Sequence, residues 1–197
     1  VNHLAGNAAI SMPIIGAADA SFAGTSGITR LGNADTASIT LSGNMYTFGT
    51  GATTLTAAGD IKMTVLGNGT NGIIKSDSDI TINAGGADNS GGQFEITGDA
   101  RIVTTTSNDT VDIKSDVRGV DNGSASVESL LIDVDTGNNN GGTIKIAGDI
   151  TTSDAGALKT VTLKGKDAVY LGGTITTAHN AADNNIDIDS DDVFLTA

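Results

Sequence analysis

Gly59-Asp60-Ile61-Lys62-Met63-Thr64-Val65 holds the pattern that decides the fold: a small residue, an aspartate, then apolar residues at every second position. The same mark, a short residue or lysine followed by Asp and an apolar residue, returns as Ser78-Asp79-Ile80, Gly98-Asp99-Ala100, Ser115-Asp116-Val117, Gly148-Asp149-Ile150, Lys166-Asp167-Ala168 and Asp191-Asp192-Val193. Successive aspartates lie 19, 20, 17, 33, 18 and 25 residues apart. Read as a period of just under twenty, with 33 covering two periods and 25 one period plus a longer loop, this spacing predicts stacked repeats rather than a single globular core.

Between the marks the alternation is regular. Ile39 and Leu41, Ile61, Met63 and Val65, Ile80 and Ile82, Phe94 and Ile96, Val111 and Ile113, Ile144 and Ile146, Val161 and Leu163, and Ile186 and Ile188 each flank one polar position. Period two is the pattern of a strand with one face inward. Gly67-Asn68-Gly69, Asn71-Gly72, Gly85-Gly86 and Asn122-Gly123 supply corner residues between such strands. Residues 79–99 also align without a gap on 129–149, and the same offset of 50 places Val111 on Val161 and Ile113 on Leu163. That offset fits two coils plus a loop, or three short coils.

Composition narrows the class. The 197 residues include 27 Gly, one Pro and no Cys or Trp, and aromatic residues are 3%, so the core must be filled by small and β-branched side chains. The formal charge is −13, and nearly all the acid is Asp, which suits turns, while Glu and Lys, which would mark helices, are scarce. Without Cys there is no disulfide, thiolate metal site or cysteine nucleophile. The apolar stretch from Ile10 to Ala18 is too short to span a bilayer, and no signal-peptide pattern precedes it. The expectation is an all-β chain, a right-handed parallel β-helix (β-solenoid) with coils of about 20 residues and variable loops; roughly nine coils at about 4.8 Å would make a rod about 45 Å long. An antiparallel β-sandwich is the competing architecture. Residues 1–37 read as irregular, degenerate coils and 38–197 as regular repeats, together one continuous domain cut from a longer array.

Gly59-Asp60-Ile61-Lys62-Met63-Thr64-Val65, Ser78-Asp79-Ile80-Thr81-Ile82-Asn83-Ala84 and Gly148-Asp149-Ile150-Thr151-Thr152-Ser153 resemble the repeats of filamentous-haemagglutinin-like exoproteins and autotransporter passenger domains. The resemblance covers roughly residues 38–197 and lies in rhythm and composition. It implies an extracellular β-solenoid shaft on a bacterial cell surface, serving adhesion, biofilm or scaffolding. Its implied partners are other copies, the rest of a longer repeat chain, a cell-surface polysaccharide or a host surface.

Chemistry is less marked than architecture. Asp133 and Asp135 with Asn138 to Asn140 form one acidic cluster, and Asp183, Asp187, Asp189, Asp191 and Asp192 form another. Alternate aspartates on an outward strand could share Ca²⁺ through Asp187, Asp189, Asp191 and Asp192, while a solvated acidic face is the simpler reading. No other cofactor is expected. An enzyme of the polysaccharide-degrading kind would need carboxylates converging with Arg or Lys and aromatic platforms. Arg101, Arg118, Tyr46 and Tyr170 are the few candidates, and His3 and His179 stand apart from any triad spacing. The sequence therefore points to a scaffold rather than an enzyme. A charge of −13 also argues against nucleic acid as a partner.

Overall fold

The alternating segments pair into three parallel sheets in the computed structural model. It describes residues 20–23, 29–31, 38–41, 44–48, 51–64, 72–85, 91–120, 128–134, 141–152, 158–177 and 185–196. With strands numbered in chain order, the first sheet is β1 (Ala20–Ala23), β4 (Met45–Phe48), β7 (Gly72–Ser76), β10 (Ala100–Thr104), β13 (Glu128–Asp133), β16 (Leu158–Lys164) and β18 (Asn185–Asp189). The second is β2 (Thr29–Leu31), β5 (Thr53–Ala57), β8 (Ile80–Ala84), β11 (Thr110–Ile113), β14 (Thr143–Ile146), β17 (Ala168–Leu171) and β19 (Val193–Leu195). The third is β3 (Ile39–Leu41), β6 (Ile61–Thr64), β9 (Gln93–Thr97), β12 (Asp116–Gly119) and β15 (Ile150–Thr152), continued by a parallel bridge from Ile150 to Ile175.

The chain visits the three sheets in turn and returns to the first one strand further along, so one circuit is one coil. In the first sheet Ala20, Met45, Ile74, Ile102, Ile132, Leu163 and Ile188 form a single column. Each step along that column is one coil, and the steps are 25, 29, 28, 30, 31 and 25 residues. The expected coil of about 20 residues is therefore too short. The described residues make seven coils, and their six strand spacings of about 4.8 Å span about 29 Å, so coils of this length give fewer than the nine expected.

The discrepancy has a simple cause. Asp60 and Asp149 precede strands of the third sheet and Asp116 opens one, Asp79, Asp167 and Asp192 precede strands of the second, and Asp99 precedes a strand of the first. Gaps of 17 to 20 residues count two faces of a coil, and the gaps of 33 and 25 count three faces, which is a whole coil. The offset of 50 moves Ile80 in β8 onto Leu130 in β13, and Phe94 in β9 onto Ile144 in β14. That is five strands onward, one coil and two faces. It is neither two coils nor three.

Inward positions stack in columns. In the second sheet Leu55, Ile82, Ile113, Ile146 and Leu171 lie one above another, and in the third Ile61, Phe94, Val117 and Ile150 do the same, all of them buried. The core is aliphatic, as the composition requires, with Phe94 the large exception. A polar inclusion crosses the early coils: the Thr47 and Thr53 hydroxyls are 2.7 Å apart, the Thr53 and Ser76 hydroxyls 3.1 Å, and all three residues are buried. Pairing the hydroxyls with one another meets the cost of burying them.

Of the apolar residues that follow the marks, Ile61, Ile80, Ala100, Val117, Ile150 and Ala168 are buried as expected. Val193 is not. In the seventh coil Ile186 is 45% exposed, Val193 50% and Leu195 80%, although their column neighbours Val161, Val169 and Leu171 are buried. Replacing Ile80 by Asp is expected to cost about 3–5 kcal/mol, because the new charge has no partner inside. Replacing its outward neighbour Thr81 by Asp should stay within about 0.5 kcal/mol. Equal denaturant midpoints for the two variants would refute the inward assignment.

Candidate functional site

The aspartates of the marks act in both directions along the stack. Asp79 accepts from the Thr53 N–H of the preceding coil through its backbone carbonyl (2.8 Å) and from the Thr110 N–H of the following coil through its carboxylate (2.7 Å). Asp60 does the same with Ile39 (3.0 Å) and Gln93 (3.2 Å). Asp149 does so with Val117 (2.8 Å) and with the Thr174 N–H (2.6 Å) and hydroxyl (3.0 Å). Asp99 accepts from Gly72 N–H behind it (2.9 Å) and from the Ser129 hydroxyl ahead (2.8 Å). Asn44 fills the role in the first sheet by accepting from Ile73 N–H at 2.9 Å. Asp167 reverses it, its carboxylate accepting from Gly142 N–H of the preceding coil at 2.8 Å. Sequence reasoning anticipated aspartates bonding their own turns. The bonds run instead between coils.

The glycine in the mark is part of the same device. Asp149 N–H donates to the Asp116 carboxylate at 2.9 Å, and a Cβ on Gly148 would overlap that carboxylate. A Cβ on Gly173 would likewise overlap the Asp149 oxygen that receives Thr174 N–H. At these two corners the residue before the donor must be small for the acceptor of the coil below to reach it, whereas Asp109 precedes the donor Thr110. The hydrogen bonds from Thr174, first from its backbone and then from its hydroxyl, hold the Asp149 carboxyl below the usual carboxylate range.

The four candidate calcium ligands do not share one point. Asp187 and Asp189 lie on β18 beside Thr162 and Lys164, while Asp191 and Asp192 form the corner that follows. The Lys166 ammonium lies 2.8 Å from Asp191 and 4.0 Å from Asp189, and the bond to Asp191 raises its pKa. Asp192 uses its carbonyl to accept from Val169 N–H (2.9 Å) and the Ser190 hydroxyl (2.7 Å). Among the described residues no three His, Cys, Asp or Glu side chains are grouped to hold a metal ion. Asp135, Asn138 to Asn140, His3, His179 and Asp183 lie outside the described residues.

Outward faces carry further charged and aromatic side chains. In the third sheet Lys62 bonds Glu95 at 2.8 Å and Asp60 at 3.4 Å, which raises its pKa, and Arg118 donates to the Gln93 side chain at 3.3 Å. Arg101 lies between Ile73 and Leu131 in the first sheet, and Tyr46 beside Lys75. In the second sheet Tyr170 and Phe194 stack with ring centroids 4.7 Å apart and planes 14° apart, and Lys145 Nζ lies 5.8 Å from the Tyr170 centroid. The sequence reading named Tyr170 but not this pair, which only the register of β17 on β19 reveals. A recess of about 300 Å³ at the corner between the second and third sheets is lined by Gly91 to Gln93, Lys114 to Asp116, Ala147 and Gly148. Its one carboxylate, Asp116, is already engaged by Asp149 N–H.

No family model matches the chain, and no curated protein or solved structure matches it.

Replacing Asp116 by Ala is expected to cost about 1 kcal/mol, with Asn retaining part of it through its carbonyl oxygen, as measured by urea denaturation. The Asp149 contribution is fully present above the ordinary carboxylate pKa and is lost as pH falls through its lowered folded value. The thermal midpoint of Asp149→Asn should therefore vary less with pH below about 4 than that of the parent. Calcium at the four aspartates must compete with Lys166. If it binds there, Lys166→Ala should gain more in thermal midpoint on adding Ca²⁺ than the parent does, and equal responses would exclude the site.

Proposed function

We propose that this chain is a length of right-handed parallel β-helix that serves as an extracellular scaffold of a bacterial surface protein, used for adhesion, biofilm or filament formation. The observation that carries the reading is the continuous stack, in which three parallel sheets and the corner aspartates join every coil to the next and no face departs from the repeat among the described residues. Each coil presents a strand ladder and an apolar cross-section on which the next coil stacks. The right-handed sense follows from the strong preference of parallel strand crossovers. Surface placement rests on the resemblance to haemagglutinin-like and autotransporter repeats and on a cysteine-free, acidic composition.

A second reading, a segment that binds carbohydrate or a host surface, is favoured by the stacked Tyr170 and Phe194 on an outer face. The rings cover one another, however, so each offers a glycan at most one broad face. The scaffold reading accounts for more of the chain.

Residues 1–197 in dilute solution should associate into rods as concentration rises, and a polar capping repeat fused after Ala197 should suppress this. Light scattering and small-angle scattering read both effects. A compact monomer at every concentration, with the seventh coil covered by its own residues, would overturn the proposal.

A further inference from the structure

The recess between the second and third sheets reaches across consecutive coils: Gly91 to Gln93 lie in one, Lys114 to Asp116 in the next, and Ala147 and Gly148 in the one after. Gly91, Lys114 and Ala147 are exposed, so it opens to solvent. Its volume of about 300 Å³ is at the lower end of the range of small-molecule sites.

This corner departs from its neighbours at two positions. Asp60, Gln93, Asp116 and Asp149 lie one coil above another where the strands of the third sheet begin. The three aspartates each accept a backbone N–H from the next coil, whereas Gln93 turns its side-chain oxygen to Arg118 at 3.3 Å. The residues just before these four are Gly59, Gly92, Ser115 and Gly148. Ser115 is thus the one side chain in a column of glycines. It is 3% exposed, and its Oγ has no hydrogen-bond partner. Buried hydroxyls are almost always paired, so an unpaired one beside a recess points to a missing group.

The corner at Gly142 shows which group. Gly142 stands opposite Asp167, whose carboxylate accepts the Gly142 N–H at 2.8 Å. The offset of 50 lays Gly92 on Gly142, and Gly92 stands opposite Ser115. A serine is too short to close the corner as that aspartate does. Two further donors line the recess: the Lys114 ammonium, which has Asp112 only at 3.7 Å, and the amide nitrogen of Gln93. Asp116 is the acceptor, and the bond it receives from Asp149 N–H occupies one of its two oxygens. Asp88, three residues before Gly91 in sequence, lies outside the described residues, and the match rests on these hydrogen-bonding groups rather than on net charge.

We propose that the recess binds a small hydroxy acid, with its carboxylate held by Lys114 and the Ser115 hydroxyl beside Gly92, and a hydroxyl of the ligand donating to Asp116. The carboxylate takes the part that Asp167 plays at Gly142. A bare carboxylate would leave Asp116 without its donor, and a neutral polyol would leave Lys114 without its counter-ion. The site goes beyond the scaffold reading and stands whether or not copies of the chain associate.

Glucuronate is the probe, titrated into the whole chain and followed by backbone amide resonances. It should shift Gly91, Gly92 and Lys114 to Asp116 and saturate at millimolar concentration. Glucose, which lacks the carboxylate, and acetate, which lacks the hydroxyls, should each bind at least about tenfold more weakly. Methyl glucuronide separates two sources of the same chemistry: binding equal to glucuronate assigns the site to a sugar-acid unit of a glycan, and much weaker binding to the free acid. Lys114 is exposed, so Lys114→Ala should keep the parent's thermal midpoint while weakening glucuronate about tenfold. Ser115→Ala should weaken it about threefold, and Lys159→Ala, on the first sheet, should leave it unchanged. The site is overturned if glucuronate fails to saturate at tens of millimolar, if acetate gives the same shifts at the same concentration, or if Lys114→Ala binds like the parent. None of these results touches the scaffold reading, which scattering tests without any acid present.

Discussion

One aspartate joining three coils is the interaction on which the rest depends. A parallel stack with an aliphatic interior has no long-range element to clamp it, so each coil must be fixed to the next locally. The strand ladders do this along the faces, but at the corners the backbone turns and its N–H groups would lose their partners. A corner aspartate solves both sides at once: its carbonyl receives the coil behind, as Asp79 receives Thr53, and its carboxylate the coil ahead, as Asp79 receives Thr110. A glycine such as Gly148 or Gly173 keeps the approach open. The high Asp and Gly content is thus a structural requirement of the corners before it is a statement about charge.

That requirement explains how the sequence was legible and where it misled. Strands, inward residues and the corner role of the marks follow from period-two alternation and the Asp-apolar pair, because burial on a pleated face leaves little choice of side chain. Coil length was hidden because all three corners use the same residues, so nothing local says which sheet a strand joins. Variable connections deepen the ambiguity. From the second sheet to the third, Ile80 to Phe94 takes fourteen residues and Val111 to Val117 takes six. Only pairing register, a property of the assembled stack, separates a face from a turn of the chain.

The candidate sites were legible to a smaller degree for a related reason. Asp187, Asp189, Asp191 and Asp192 form a conspicuous run, yet strand and corner geometry direct them to different neighbours, and Lys166, a coil earlier, reaches two of them. Tyr170 and Phe194, unremarkable at 24 residues apart, become a stacked pair because their strands are adjacent. In a stack of coils, proximity is set by register one coil away and not by neighbours in sequence, so clusters read along the chain and clusters in space are different sets.

The all-parallel pairing also sets how the molecule would bear load. Strands lie across the stack, so tension applied along it acts on the ladder bonds of one coil boundary at a time, in series, instead of shearing many together. The weakest boundary yields first, and its release frees one circuit of chain. At 25 to 31 residues a circuit, and about 3.5 Å of extended length per residue, each event would lengthen the molecule by roughly 90–110 Å, against the 4.8 Å that one coil occupies when stacked. A shaft of this kind would lengthen in steps under pull and keep its remaining coils intact, a mechanical compliance that comes from the coil geometry alone.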